Sequence, residues 1–188
     1  MDQAEELRNV IKKQNQRIKK PARIITITSG KGGVGKSNIA VNLAVQFQRM
    51  GKKTIIFDAD FGLANVEVMF GTIPKYTLSD LIYHDKEIED IITDGPEGVG
   101  FISGGSGIMG LNNLTPDQIS YLVKSVEKLS SMADVVIVDT GAGISDSVME
   151  FVASSPEILL VTTPEPSSLT DAYSLLKMLY RNPKYDKN

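Results

Sequence analysis

The chain has 188 residues, of which 41% are hydrophobic and 23% charged, and its formal net charge is −3. This balance is typical of one globular domain and excludes a polycation that binds nucleic acid through its overall charge. The chain contains no cysteine and one histidine, which excludes disulfides, cysteine-ligated zinc, iron–sulfur clusters, thiol nucleophiles and multi-histidine metal sites.

The N-terminal part of the chain is a basic segment that ends at Pro21. Residues 1–23 carry a charge of +4 and the remainder carries −7. Asp2 can cap a helix whose apolar residues recur at roughly helical intervals, but such a helix is too short and too polar to be stable alone. We expect an N-terminal helical extension and linker at residues 1–21 and one domain at 22–188. Composition alone leaves the extension open between a solvated tail and a helix that orders on a partner.

Strands and helices alternate along the first half of the domain. Residues 23–28 (RIITIT) form a β-branched run typical of a buried strand. A helix is predicted from residue 36 to residue 50, where Gly51 is placed to end it. Residues 54–58 (TIIFD) predict a second strand, and residues 100–103 predict a weaker third.

The alternation continues in the second half. Thr115 and Gln118 have capping-box spacing around Pro116, which predicts a helix from there to about residue 131. Strands are predicted at 135–139 (VVIVD) and 158–162 (ILLVT), and helices at 145–153 and 168–180. The predicted fold class is α/β, with a mostly parallel sheet flanked by helices on both faces. Because a further strand should follow the last helix, we expect the sequence to be truncated at its C-terminus.

A phosphate-binding loop follows the first strand. Gly30-Lys31-Gly32-Gly33-Val34-Gly35-Lys36-Ser37 fits G-x-x-x-x-G-K-[ST] between a strand and a helix. Its glycines let backbone N–H groups turn towards the phosphates at the positive end of the helix. Lys36 is expected to neutralise the β- and γ-phosphates, and the Ser37 hydroxyl is expected to bind Mg²⁺. We also assign Asn38, the next residue, to the nucleotide-binding set.

Acidic residues end two of the predicted strands. Asp139 ends the run VVIVD and is the expected metal-holding acid of a P-loop site. Asp58 and Asp60 follow the second strand; one can hold a metal-bound water and the other can orient the attacking water. The segment after Asp139 contains Gly141 and is typical of a switch that senses the γ-phosphate through backbone N–H groups.

The loop sequence KGGVGKS, in which Lys31 directly follows Gly30, resembles the deviant Walker A motif of the MinD/ParA (SIMIBI) P-loop ATPases. The resemblance implies that Lys31 reaches the nucleotide of a second subunit and that ATP bridges a homodimer. It further implies that Asp60 positions the attacking water and that Asp58 supports the metal's water shell. Pro164 lies in a segment that resembles the one beside the adenine in MinD. The preference for ATP over GTP is therefore implied by the resemblance alone.

Two further stretches resemble the flagellar FlhG (YlxH/FleN) branch of this family. Residues 58–66 (DADFGLANV) resemble its D-x-D-x-G-L-x-N switch. Residues 101–107 (FISGGSG) resemble its glycine-rich loop, with Ser103 where a proline is common.

The N-terminal residues 2–8 (DQAEELR) match the D-Q-A-x-x-L-R element of the same branch. In that branch the element forms a helix that docks on FlhF, an SRP-type GTPase, and stimulates GTP hydrolysis. The resemblance implies that Gln3 contacts the active site of the partner. It also implies that Leu7 and Arg8 anchor the helix.

The expected function is a slow, Mg²⁺-dependent ATPase switch that controls flagellar number and position through FlhF, with flagellar C-ring proteins as further candidate partners. We expect a cytoplasmic protein that associates reversibly with the inner membrane through a C-terminal helix beyond residue 188. The alternatives are a MinD-like division-site regulator and a nucleotide-bound adaptor without significant turnover. A DNA-partition role is disfavoured by the acidic domain, so no nucleic acid is expected. We assign the methionines, Met69 among them, to core filling or element ends rather than to a binding surface.

Overall fold

The computed structural model describes residues 21–62, 65–105, 114–183 and 185. The helix predicted for the N-terminal extension, and its partner-binding residues Gln3, Leu7 and Arg8, lie outside the described residues. Those assignments therefore remain predictions.

The described residues form a six-stranded sheet in the order β3-β4-β2-β5-β1-β6. The strands are β1 (Arg23–Ser29), β2 (Thr54–Ala59), β3 (Thr93–Asp94), β4 (Gly100–Ile102), β5 (Val135–Ala142) and β6 (Glu157–Leu160). Every neighbouring pair is parallel except β3 and β4, which are antiparallel. The mostly parallel sheet predicted from the sequence is confirmed.

Helices cover both faces of the sheet, as predicted. They are α1 (Lys36–Arg49), α2 (Asn65–Phe70), α3 (Leu78–Tyr83), α4 (Pro116–Leu129), α5 (Asp146–Ala153) and α6 (Pro166–Arg181). Within the described part of the chain, none of them is long and apolar enough to cross a membrane.

The alternation of side chains along the central strands explains why both faces are apolar. In β2, Ile55 and Phe57 point to one face, where they join buried residues of α3, α4 and α5. Ile56 points to the other face and packs with Ala40 and Ala44 of α1. A strand that is buried on both faces has a nearly continuous hydrophobic sequence, and this pattern predicted the central strands.

Two short helices and one short strand were not predicted from the sequence, nor was the 3-10 turn at Pro96–Gly98. The helices α2 and α3 have six residues each, and β3 has two, so none of them shows a full hydrophobic period. The start of α3 did carry a usable signal, because the Thr77 side chain and the Asp80 carboxylate form a capping box.

Strand β5 extends three residues beyond the predicted end at Asp139, while β6 ends two residues early. The extension contains an irregularity: Ile27 of β1 pairs with Asp139, but Ser29 pairs with Ala142. A shift of this kind bends a strand and redirects its side chains, and it lies directly beside the phosphate-binding loop.

Candidate nucleotide-binding site

The glycine-rich loop connects the end of β1 to the start of α1. Gly33 and Gly35 have φ values of +77° and +90°, a left-handed conformation that favours glycine. The Ser29 hydroxyl donates a 2.9 Å hydrogen bond to the carbonyl oxygen of Lys31, which fixes the first turn of the loop. The sequence therefore places glycine where the backbone must turn.

The loop forms one wall of a cavity of about 600 Å³. We call this space the phosphate cavity, after the ligand predicted for the loop. Its lining residues are Ser29, Gly32, Gly33, Gly35, Lys36, Ser37, Asn38, Asp60, Asn65, Val68, Met69 and Ala142. Most of the residues predicted to bind phosphate are thus brought together around one space at the carboxyl end of the sheet. This is where open α/β sheets bind ligands.

Gly30 has a different role from the glycines that turn the loop. A Cβ atom at this position would lie 2.3 Å from the carbonyl carbon of Asp171 and 2.6 Å from the backbone nitrogen of Ala172. Both atoms belong to the backbone of α6. Gly30 is therefore needed for α6 to lie directly against the phosphate-binding loop.

Lys36, which lines the cavity, forms a buried ion pair with Asp139. The Lys36 ammonium nitrogen Nζ lies 3.0 Å from Oδ1 of Asp139, and the two side chains are 8% and 0% exposed. Burial raises the pKa of Asp139, and the charge of Lys36 opposes that rise. The pair links the start of α1 to the middle of strand β5.

Asp58 stands beside Asp139 on the adjacent strand. The two residues are in register across β2 and β5, and both are fully buried. The carboxylate of Asp58 accepts the backbone N–H groups of Asp60 at 3.1 Å and Val66 at 3.2 Å. Burial, together with the negative charge of Asp139, raises the pKa of Asp58 to about 8. Asp58 thereby anchors both the loop that carries Asp60 and the first turn of α2.

The donor set fits a magnesium ion of the P-loop kind. Oδ2 of Asp139 is buried and has no hydrogen-bond partner in the described structure, and Ser37 lines the cavity beside Lys36, the ion-pair partner of Asp139. No group of three or more His, Cys, Asp or Glu side chains within the described residues is arranged to hold a metal on its own. Mg²⁺ in such sites takes one or two protein ligands and completes its shell with waters and substrate phosphates.

Asp60 lies at the boundary between the phosphate cavity and a second cavity of about 390 Å³. Its Oδ1 accepts the N–H of Gly62 at 3.3 Å, and its Oδ2 accepts from Nδ2 of Asn65 at 3.4 Å. Gly141 lines the second cavity, and a Cβ there would lie 3.8 Å from Oδ1 of Asp60. The structure therefore brings Gly141 next to Asp60 and keeps it out of the lining of the phosphate cavity.

Lys31 points away from the phosphate cavity of its own chain. Its Nζ lies 3.0 Å from Oε2 of Glu165 and 3.1 Å from the hydroxyl of Ser167, at the start of α6. The side chain is 39% exposed. The two lysines of the loop therefore differ sharply, because Lys36 is buried in the cavity and Lys31 lies on its rim.

The remaining predicted residues lie further from the cavity. Val34 is half-buried and packs against α1's face of the core, while Pro164 is exposed and lies outside the cavity lining. The segment around Pro164 is held to α6, since the backbone N–H of Thr163 donates to the Ser168 hydroxyl at 3.1 Å.

Several residues at the site were not predicted from the sequence. Met69 was assigned to core filling or an element end rather than to a binding surface. It lies next to the last residue of α2, is 42% exposed, and lines the phosphate cavity together with Val68. The element-end position agrees with that assignment, whereas the place of Met69 in the cavity lining was not foreseen because the sequence did not predict α2. The contact of Glu165 with Lys31 spans 134 residues of sequence, which no local pattern reveals.

Known proteins resemble this chain over most of its length. The model of the ParA family, described as the NUBPL iron-transfer P-loop NTPase, matches residues 20–183. The antiactivator FleN of Pseudomonas aeruginosa is 45% identical over 162 residues, which cover 86% of this chain and 58% of FleN. The flagellum site-determining protein YlxH of Helicobacter pylori is 37% identical over 185 residues, covering 96% and 63% of the two chains.

A solved structure with a bound nucleotide is similar in fold. The septum site-determining protein MinD of Pyrococcus horikoshii, complexed with Mg-ADP, superposes with a TM-score of 0.76 at 31% identity. The match covers 85% of this chain and 65% of that one. This chain thus spans about 60% of the length of the curated flagellar relatives it matches.

Proposed function

From its place in the ParA family of P-loop NTPases, to which this chain belongs, we propose that it is an ATP-driven dimerising switch that regulates flagellar number and placement. The family resemblance predicted from the loop KGGVGKS is confirmed by the family match. The flagellar part of the proposal is supported by the similarity to an antiactivator named FleN and a flagellum site-determining protein named YlxH.

The chemistry we propose is slow hydrolysis of ATP to ADP and phosphate. The backbone N–H groups from Gly30 to Ser37, with Asn38 beside them, hold the phosphates, and Lys36 neutralises their charge. When bound at Ser37 and Asp139, with Asp58 supporting its waters, Mg²⁺ supplies further compensation of the phosphate charge. Asp60 orients the attacking water.

Binding of phosphate requires a rearrangement of the buried ion pair. In the described structure the Lys36 ammonium group is engaged with Oδ1 of Asp139 at 3.0 Å. The triphosphate offers Lys36 a stronger negative partner and frees Asp139 to accept the metal.

The position of Lys31 is the observation that carries the dimer proposal. Its ammonium group is exposed on the rim of the cavity and is held by Glu165 and Ser167 of the same chain rather than by the phosphate site. A surface pair of this kind is weak and exchanges easily. We propose that Lys31 leaves Glu165 and reaches the ATP of a second subunit, so that hydrolysis depends on dimerisation. Gly141 is proposed to contact the γ-phosphate, and Pro164 is proposed to contact the base.

The proposed partner of the N-terminal segment is an FlhF-type SRP GTPase, with flagellar C-ring proteins as further candidates. Gln3 is proposed to enter the active site of that GTPase, with Leu7 and Arg8 anchoring the helix. The proposed location is the cytoplasm, with reversible association with the inner membrane.

The test of the switch is a measurement of oligomeric state and turnover in one sample. With ATP and Mg²⁺ the protein is expected to shift from monomer to dimer and to release phosphate slowly, and ADP should not support the shift. A protein that binds ATP but neither dimerises nor releases phosphate would instead be a nucleotide-bound adaptor.

The test of the flagellar assignment uses a purified FlhF-type GTPase. A peptide of residues 1–20 is expected to stimulate GTP hydrolysis, and the same peptide carrying Gln3→Ala is expected not to. Absence of stimulation at saturating peptide would favour a MinD-like division-site regulator with the same ATPase chemistry.

A further inference from the structure

Ser103 joins three segments of the chain. It directly follows β4, and it is fully buried. Its hydroxyl donates a 2.6 Å hydrogen bond to Oε2 of Glu67 on α2 and accepts one from the backbone N–H of Gly105 at 3.0 Å. Its carbonyl oxygen accepts the N–H of Leu78, at the start of α3, at 3.0 Å. One buried serine therefore ties the end of β4 to two helices.

Glu67, the acceptor of this hydrogen bond, follows two residues that contact the aspartates of the site. The N–H of Val66 donates to Oδ2 of Asp58 at 3.2 Å, and Nδ2 of Asn65 donates to Oδ2 of Asp60 at 3.4 Å. Residues 65, 66 and 67 of α2 thus contact Asp60, Asp58 and the loop after β4 in turn. Any shift of α2 moves the groups that hold the Asp60 carboxylate.

Gly104, the neighbour of Ser103, touches the same aspartate loop from another side. A Cβ atom on Gly104 would lie 3.1 Å from the carbonyl oxygens of both Asp58 and Asp60. The loop at residues 103–105 therefore lies against the backbone that carries the Asp60 carboxylate. Contacts run in a ring from this loop to α2, from α2 to Asp60, and from Asp60 back to the loop.

We infer that the hydrogen bond between Ser103 and Glu67 positions Asp60 for ATP hydrolysis, an inference that rests on the proposed function. Neither Ser103 nor Glu67 lines the phosphate cavity, so both act on turnover indirectly, through α2 and Asp60. A hydroxyl that donates to a carboxylate makes one of the stronger protein hydrogen bonds, which suits it to hold a short helix in place.

The first experiment separates kcat from KM for ATP in the full protein. Ser103→Ala and Glu67→Ala are each expected to lower kcat about fivefold while KM stays within about twofold of its original value. Glu67→Gln keeps an acceptor oxygen and is therefore expected to retain most of the wild-type kcat that Glu67→Ala loses. Ser125→Ala is the matched control, since Ser125 is a buried serine whose hydroxyl bonds the Tyr121 carbonyl of α4 at 2.9 Å.

A double-mutant cycle tests whether the two residues act together. Combining Ser103→Ala with Glu67→Ala is expected to lower kcat about fivefold, because the second change removes a partner of a bond that is already lost. Independent effects would multiply to about 25-fold and would overturn the inference. A rise in KM that accounts for the whole loss of kcat/KM would also overturn the inference.

A second readout separates this inference from the proposed function. Hydrogen exchange in nucleotide-free protein reports on the backbone amides of Asp60, Gly62 and Val66, each of which donates to an aspartate carboxylate of the site. Ser103→Ala and Glu67→Ala are expected to speed exchange there, and Glu67→Gln is not. If the wild-type protein does not hydrolyse ATP, the proposed function fails. Hydrogen exchange still tests whether the bond between Ser103 and Glu67 holds the segment around Asp60 in place. Unchanged exchange in both alanine variants would overturn it.

Discussion

Nζ of Lys36 lies 3.0 Å from Oδ1 of Asp139, in a pair whose side chains are 8% and 0% exposed. Removing one partner of a buried pair leaves an uncompensated charge. Lys36→Met is therefore expected to lower the free energy of unfolding by about 3–5 kcal/mol in nucleotide-free protein, measured by urea denaturation. Adding Asp139→Asn to Lys36→Met should restore much of the loss, because the neutral amide no longer needs a cation.

The control for this measurement is Arg49→Met. It breaks the exposed pair between Arg49 and Glu97, so the urea midpoint should change little. A double variant less stable than Lys36→Met alone would contradict the assignment of the loss to the unpaired carboxylate.

Lys31→Ala separates nucleotide binding from dimerisation. Because Lys31 lies on the rim and Lys36 lies inside the cavity, the variant is expected to bind ATP within about threefold of wild type. It should remain monomeric with ATP and Mg²⁺, and its turnover should fall at least about 100-fold, as for the loss of an arginine finger. Light scattering and phosphate release measure the two effects.

The matched control for Lys31 is Lys128→Ala, which removes another exposed lysine from a surface pair, in this case with Glu87. That variant should dimerise and hydrolyse ATP as wild type does. Normal turnover in Lys31→Ala would show that the lysine has no role in a second subunit.

Asp60→Asn tests the placement of the attacking water. Loss of a water-orienting carboxylate is expected to reduce single-turnover hydrolysis at least about 100-fold, whereas the ATP-bound dimer should persist and last longer. Asp117→Asn changes an acidic residue in the first turn of α4 and should leave the rate unaltered. A dimer that dissociates as fast as wild type would argue against hydrolysis as the step that separates the subunits.

Gly30→Ala tests the close approach of α6 to the loop. A Cβ 2.3 Å from the Asp171 carbonyl carbon requires the backbone to move, so we expect a loss of about 2 kcal/mol or more in stability together with weaker ATP binding. Gly51 is the matched control, since it has φ of +76° and open space around it. Gly51→Ala should cost about 1 kcal/mol through backbone strain alone and leave ATP binding intact. Equal losses of ATP binding in both variants would contradict the packing argument.

The pair between Arg23 and Glu157 predicts a pH dependence of stability. The Arg23 guanidinium, 2.7 Å from Oε1 of Glu157, lowers the pKa of that carboxyl. The stabilising contribution is therefore present above the ordinary pKa of a glutamate and is lost as the pH falls through the lowered value. The destabilisation caused by Glu157→Gln should be larger at about pH 7 than at about pH 3.5, and modest because the pair is exposed.

Arg23→Gln provides the reference for that comparison. In its background the Glu157→Gln effect should lose its pH dependence, which urea denaturation at both pH values would measure. A pH dependence that survives without Arg23 would assign the shift to another cause.

The class of the fold and the position of the glycine-rich loop could be predicted from the sequence, and the structure confirms both. Continuous β-branched runs predicted the central strands, because strands covered on both faces expose no polar side. The loop from Gly30 to Ser37 could be predicted residue by residue, since a phosphate-binding motif is defined by local backbone freedom and by the helix that follows it. Both signals lie within a few neighbouring residues.

Which residues meet at the site depends on the tertiary fold. The contacts of Lys31 with Glu165, of Lys36 with Asp139 and of Ser103 with Glu67 join residues that are 134, 103 and 36 positions apart in the chain. Such pairs depend on strand order and register, which the alternation of strands and helices does not specify. The short helix α2 is held in place by hydrogen bonds with Asp58 and Ser103, and its own sequence is too short to show a hydrophobic period. The physical reason is that six residues cannot stabilise a helix alone, so its existence is a property of the surrounding fold.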